Sequence, residues 1–149
     1  MPHVKDLLKT KGSDVVTILS GARVADAIEM LIKRNIGALV VVAEKSGEYP
    51  VGIVTERDIL RATQKGGSKL ESLLVADVMS KDLIIAFPSD DLSYVMSTMT
   101  KNRVRHLPVM QSGVMVGLVS IGDVIKSLIH EHAHENRMLR DYIEGKYPN

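Results

Sequence analysis

An α/β (α+β) protein built from two β-α-β-β-α repeats is what this sequence predicts, and three observations carry the prediction. The stretch Gly52-Ile53-Val54-Thr55-Glu56-Arg57-Asp58 returns as Gly117-Leu118-Val119-Ser120-Ile121-Gly122-Asp123, each time reading as strand, turn and helix start. Upstream of each copy, apolar runs correspond at a constant spacing: Val15-Val16-Thr17-Ile18 with Leu83-Ile84-Ile85-Ala86, and Leu39-Val40-Val41-Val42 with Leu107-Pro108-Val109-Met110. Between those runs each half places an amphipathic segment of helical period. A repeat of ~60 to 65 residues accounts for all three.

The elements follow in order. Residues 4 to 9 (Val4-Lys5-Asp6-Leu7-Leu8-Lys9) read as a short helical turn, and Val75-Ala76-Asp77-Val78-Met79 is its counterpart before the second half. The first strand of each half is Val15–Ile18 and Leu83–Ala86. The helices come next, with Val24, Ala27, Ile28 and Leu31 in one and Leu92, Val95, Met96 and Met99 in the other at the i, i+3, i+4, i+7 spacing of one buried face. Pro88-Ser89-Asp90-Asp91 supplies a cap and acidic residues for the positive end of the second helix. The methionines there read as core filling. Ala38–Val42 and Leu107–Met110 are too apolar to alternate, which predicts strands covered on both faces. A hairpin follows each, its turn around Lys45-Ser46-Gly47-Glu48 in the first half and around Gln111-Ser112-Gly113 in the second. Gly66-Gly67 stops the first closing helix and opens a polar connector. The second closing helix runs from Val124 to about Glu144 and ends at Gly145. The expected division is residues 1–67, 68–129 and a C-terminal helical extension over 130–149.

Composition removes several function classes. With no cysteine among 149 residues there is no disulfide, thiolate nucleophile or thiolate metal site. A formal net charge of +1, one Phe, four Tyr and no Trp argue against a dedicated nucleic-acid binder. No apolar run approaches the ~20 residues that span a bilayer, and Met1-Pro2-His3-Val4-Lys5-Asp6 has neither signal-peptide nor transit-peptide character. A soluble, cytoplasmic protein is expected. His130, His132 and His134 lie on the last helix, and His130 and His134 share a face as paired metal ligands do. A pair alone does not fix a tetrahedral site, so no metal is expected.

The repeated signature itself has two readings. Thr/Ser-x-x-Asp resembles a capping box, the hydroxyl taking a backbone N–H of the first turn and the carboxylate reaching back. The same groups suit a ligand with vicinal hydroxyls and a phosphate, because Asp accepts from a ribose diol while the helix end attracts the anion.

Element order, the two strand-to-Asp signatures, the lead-in Val75-Ala76-Asp77-Val78-Met79-Ser80 and the junction Val104-Arg105-His106-Leu107-Pro108-Val109 together resemble a tandem pair of CBS domains, the cystathionine-β-synthase-type motifs that form a Bateman module. The resemblance covers nearly the whole chain and is to the stand-alone class, with no attached enzyme or channel. It implies two halves about a pseudo-twofold axis and two clefts for adenosine-containing ligands such as AMP, ADP, ATP, NAD or S-adenosylmethionine. It further implies sensing rather than catalysis, homodimerisation and action on a separate, unidentified protein.

Carried over by the resemblance, Asp58 and Asp123 stand where ribose hydroxyls are held, with Thr55 and Ser120 assisting. Thr17-Ile18 and Ile85-Ala86 match the strand whose backbone edge reads adenine, and Ile85 in place of Thr17 removes a hydroxyl from the second pocket. Asn35, Gly37 and Ala38 are matched by Arg103, Arg105 and His106, with Pro108 just beyond, and Arg57 is matched by Gly122. The resemblance therefore implies phosphate contacts by Arg57, Arg103, Arg105 and His106 in the central cleft, where bidentate arginine suits a phosphate. Arg103 and Arg105 also read as cations suited to a helix end.

Two other function classes compete. An enzyme would need a nucleophile and base oriented by a third group, and Ser120, His106 and Asp123 are better explained as ligand holders than as a triad. A ligand-free structural dimerisation module is the alternative, since apolar helix faces can be buried between copies without ligand. Leu31, Met99, Ile125 and Leu128 are the sequence's candidates for such a face.

Overall fold

A computed structural model describes residues 2–43 and 49–145, and the first hairpin turn around Lys45–Glu48 lies outside them. The elements are α1 (Val4–Lys11), β1 (Thr17–Leu19), α2 (Val24–Arg34), β2 (Ala38–Val42), β3 (Pro50–Thr55), α3 (Glu56–Gly66), a 3₁₀ segment Gly67–Ser72, α4 (Val75–Val78), α5 (Leu92–Asn102), β4 (His106–Gln111), β5 (Val114–Ser120) and α6 (Ile121–Ile143). In the first half β2 is central, parallel to β1 and antiparallel to β3. In the second half β4 and β5 form an antiparallel pair.

Periodicity became packing where expected. Val24, Ala27 and Leu31 of α2 and Leu92, Val95 and Met99 of α5 are buried, and all five residues of β2 are buried, as its unbroken apolar run requires. Leu31 and Met99 are thus core residues and not interface residues, since each fills its own half. The second hairpin turns on Ser112 and Gly113, both at positive φ, the combination that a two-residue type I′ turn demands.

Two elements differ from expectation. The first strand starts at Thr17 rather than Val15, and its counterpart Leu83–Ala86 is no strand but a single parallel bridge between Ala86 and Val109. Proline is the reason. In the first half Val40 N donates to Val16 O and Ser20 N donates to Val42 O. The equivalent residues of the second half are Pro108 and Pro88, which have no N–H to give. Only Ala86 N to Pro108 O and Met110 N to Ala86 O, both at 2.9 Å, remain.

The lead-in helices change sides. Val4 and Leu7 of α1 are buried in the core of the second half, with Leu92, Val95, Leu107 and Val124. Val75 of α4 is buried in the core of the first, with Val24, Leu39 and Val54. Matching backbone bonds seat them: Leu92 N to Pro2 O and Val4 N to Asp90 O on one side, Val24 N to Leu73 O and Val75 N to Ala22 O on the other. A division at residue 67 therefore cuts across both cores, and one at 129 falls within α6.

Candidate functional site

Each closing helix begins where a buried strand ends, which fixes the carboxylate of its first turn. At α3 the capping arrangement is complete: Asp58 Oδ2 accepts from Thr55 N (2.9 Å) and Thr55 Oγ1 (3.0 Å), and Asp58 N donates back to Thr55 Oγ1 (3.2 Å). The carboxylate's other oxygen, Oδ1, accepts only a long contact from Ser80 Oγ at 3.3 Å among the described bonds. Oδ2 caps the helix, and the Asp58 side chain lines a cavity.

That cavity, of about 510 Å³, lies between the halves and falls in the ~300–1,000 Å³ range of small-molecule sites. From the first half it takes Gly37, Thr55, Arg57 and Asp58, and from the second Arg103, Arg105 and His106. Seven of the residues singled out from sequence therefore meet in one place. Arg57, Arg61, Arg103 and Arg105 line it together with Glu56, Asp58 and Asp82, a cationic excess beside the N-terminus of α3, which itself attracts anions. Arg103 is held at φ 55, the left-handed conformation that its equivalent Asn35 tolerates more easily. The turn that aims the cavity's arginines is consequently strained in the second half. Burial pushes the His106 imidazole below its ordinary titration range, Lys11 and Arg105 add to that, and Asp123 opposes it; His106 enters the cavity as a neutral ring.

The remaining expected residues lie elsewhere. Ile18, Ala38 and Ala86 have their side chains in the core, so only their backbone is free to meet a ligand; β1 does lie at a sheet edge. Thr17 lies on β1, Asn35 caps α2, Ile85 is exposed, and Pro108 lies within β4; none lines the cavity. Ser120 and Asp123 form the second capping box, with Ser120 N to Asp123 Oδ2 at 3.2 Å and Asp123 N to Ser120 Oγ at 3.1 Å. Asp123 also receives the Lys11 ammonium at 2.5 Å. Burial pushes the Asp123 carboxyl up, but Lys11 and the Ser120 hydrogen bonds outweigh it and hold the group below its ordinary range.

Sequence reasoning passed over Arg61, Ser80 and Lys11. Arg61 was within reach, one turn beyond Arg57 on α3, and Ser80 closes the lead-in signature already noted. Lys11 carries no such signal, because its partner is 112 residues away. The three histidines of α6 form no metal-binding group with other ligands among the described residues. No helix among them is long and apolar enough to cross a membrane.

Known proteins share both the sequence and the shape. The sequence model of the CBS domain matches residues 4–65 and again 75–130. The CBS domain-containing protein CBSX3, mitochondrial, of Arabidopsis thaliana is 37% identical over 150 residues, covering 97% of this chain and 73% of that protein. A CBS-domain containing protein from Agrobacterium tumefaciens superposes with a TM-score of 0.80 at 36% identity, over 85% of this chain and 98% of that one. The CBS domain pair of protein MJ0100, in complex with 5′-methylthioadenosine and S-adenosyl-L-methionine, has a TM-score of 0.76 at 25% identity over 88% of this chain and 98% of that one. With two domain matches in tandem and whole-pair structural likeness, the chain belongs to the CBS domain family, as a paired module that regulates rather than catalyses.

Proposed function

We propose that this module senses an adenosine-containing ligand of the AMP, ADP, ATP, NAD or S-adenosylmethionine class, and that it acts on a separate protein. The carrying observation is the cavity of about 510 Å³ that gathers Asp58, four arginines and His106 from both halves. In this reading Asp58 Oδ1 exchanges Ser80 for a ribose hydroxyl, while Oδ2 keeps the helix capped. Arg57, Arg103 and Arg105 take the phosphate, and the base lies against Leu83 and Ile84, which line the cavity where β1 does not. The adenosine compounds held by the MJ0100 pair support that ligand class. The reading also includes a homodimer, supported by exposed apolar residues along α6. The cytoplasmic reading stands beside a relative whose name places it in mitochondria, 37% identical over 150 residues.

The test is calorimetric titration with AMP, ATP, NAD and S-adenosylmethionine. A charge-assisted hydrogen bond contributes ~1.5 to 3 kcal/mol, so Asp58→Ala should weaken the ligand by roughly ten- to a hundredfold. A saturating ligand at ~100 times its dissociation constant should stabilise the fold by ~2.7 kcal/mol. Were Asp58→Ala to bind as the wild type does and merely melt earlier, the carboxylate would be a cap alone. Were no ligand bound, the exposed face of α6 would favour the second reading, a structural dimerisation module.

A further inference from the structure

The two halves treat their equivalent carboxylates differently, and the lead-in helices are the cause. In the first half α4 is a single turn of 4 residues. The chain leaving it pairs with β3 through Ser80 N to Ile53 O at 2.8 Å and Ile53 N to Ser80 O at 3.0 Å. In the second half the corresponding helix, α1, runs for 8 residues. Its Lys11 stands in for what Ser80 does: the ammonium donates to Leu118 O, the counterpart of Ile53 O, at 2.6 Å, and to Asp123, the counterpart of Asp58, at 2.5 Å. Register confirms the correspondence, because a Cβ at Gly52 would meet Met79 and a Cβ at Gly117 would meet Leu8. Lys11 reaches Asp123 because α1 continues where α4 stops.

We propose that Lys11 is a built-in competitor for the second cleft: its ammonium occupies the carboxylate that a ribose diol would need, so the chain takes one adenosine ligand, at Asp58, and a second, at Asp123, only when Lys11 withdraws. The inference rests on the ribose role proposed above. A ribose hydroxyl and the ammonium would each make a charge-assisted hydrogen bond to the carboxylate, but only the ammonium also brings a full opposite charge to it. The pair is part-exposed, its side chains 34% and 29% open to solvent, so it is screened in part and keeps its advantage through its short geometry and its second acceptor. Among the described residues no ion pair holds Asp58, whose Oδ1 meets one hydroxyl at 3.3 Å. Leu118 O holds the ammonium in place from the other side.

The experiment is titration of AMP into the wild type, Lys11→Met, Lys11→Gln, Lys11→Arg, Asp123→Ala and Lys11→Met/Asp123→Ala, with melting curves to confirm folding. The wild type should show one site per chain. Lys11→Met and Lys11→Gln should each gain a second site, tightened at least about tenfold over any residual wild-type binding there; Lys11→Arg should stay at one, and Lys11→Met/Asp123→Ala should return to one. If neither uncharged variant gains a site, or if the wild type already fills a site that Asp123→Ala removes, the competitor role is overturned. Failure of the ligand reading at Asp58 looks different. A wild type with no site, beside a Lys11→Met protein with one that Asp123→Ala abolishes, would sink the first cleft and sustain the role of Lys11.

Discussion

His106 joins the cavity to the Lys11–Asp123 pair, and its charge state follows from that position. Burial, Lys11 and Arg105 all oppose protonation, and Asp123 alone favours it. The folded imidazole therefore titrates below the ordinary 6.5 of an unfolded chain. An unfolded chain takes the proton first, so stability is lost as pH falls from about 6.5 through the lower folded value. Melting temperatures at pH 7.5 and 5.5 should drop further for the wild type than for His106→Gln; an equal drop in both would mean that another group carries the acid sensitivity. At this scale the sequence was informative where chemistry repeats. Asp58 and Asp123 stood out because each follows a hydroxyl residue at the end of an apolar run, and the structure places both as caps. What the pattern could not show is that one carboxylate meets a serine hydroxyl and the other a lysine, since Lys11 and Asp123 are brought together by the fold alone.

Among elements, the crossing of lead-in helices over the third strand of each half explains why both repeats keep glycine there. A Cβ at Gly117 would come to 2.7 Å from Leu8 Cδ2, the mobile end of a side chain. One at Gly52 would come to 2.5 Å from Met79 Sδ and also to 3.0 Å from Ser80 O, a backbone atom tied to Ile53. Methionine and leucine tips can turn aside; a paired carbonyl cannot. Gly52→Ala should therefore cost more than Gly117→Ala, by the ~1 to 3 kcal/mol typical of overpacking, in urea unfolding. A larger loss at Gly117 would contradict the packing of α4 on β3. The order of elements was legible because apolar period and length separate strand from helix, as in β2 and α2. The missing strand at Leu83–Ala86 was legible too, had hydrogen-bond donors been counted along with hydrophobicity: Pro88 and Pro108 stand where Ser20 and Val40 give their N–H groups. The exchange of α1 and α4 was not, because Val4 and Val75 are apolar whichever core receives them.

For the molecule as a whole, α6 is the element that reaches beyond the repeat. At about 100° per residue, Ile125, Ile129, Leu139 and Ile143 fall on one stripe, with His132 and Asn136 in its middle, and all four apolar residues are exposed. A second copy laid along this stripe would cover both apolar ends and leave the imidazole and amide facing each other. Sedimentation should find a dimer on the order of tens of micromolar, and Ile129→Glu with Leu139→Glu should yield a folded monomer; a monomeric wild type would remove the homodimer from the proposed function. The exchange of lead-in helices has a consequence of another kind, for how the chain reaches this state. Val4 finds its core only after Leu92, Leu107 and Val124 have emerged, and the first core waits for Val75, so the first half cannot be finished before the second has begun. Contacts between the N-terminal helix and the last one are among the most distant the chain makes, and such closures slow folding. The reward is cooperativity: with each core sealed by a helix from across the midpoint, the two repeats should melt in a single transition, and neither should persist as a stable fragment when the chain is cut near Gly67.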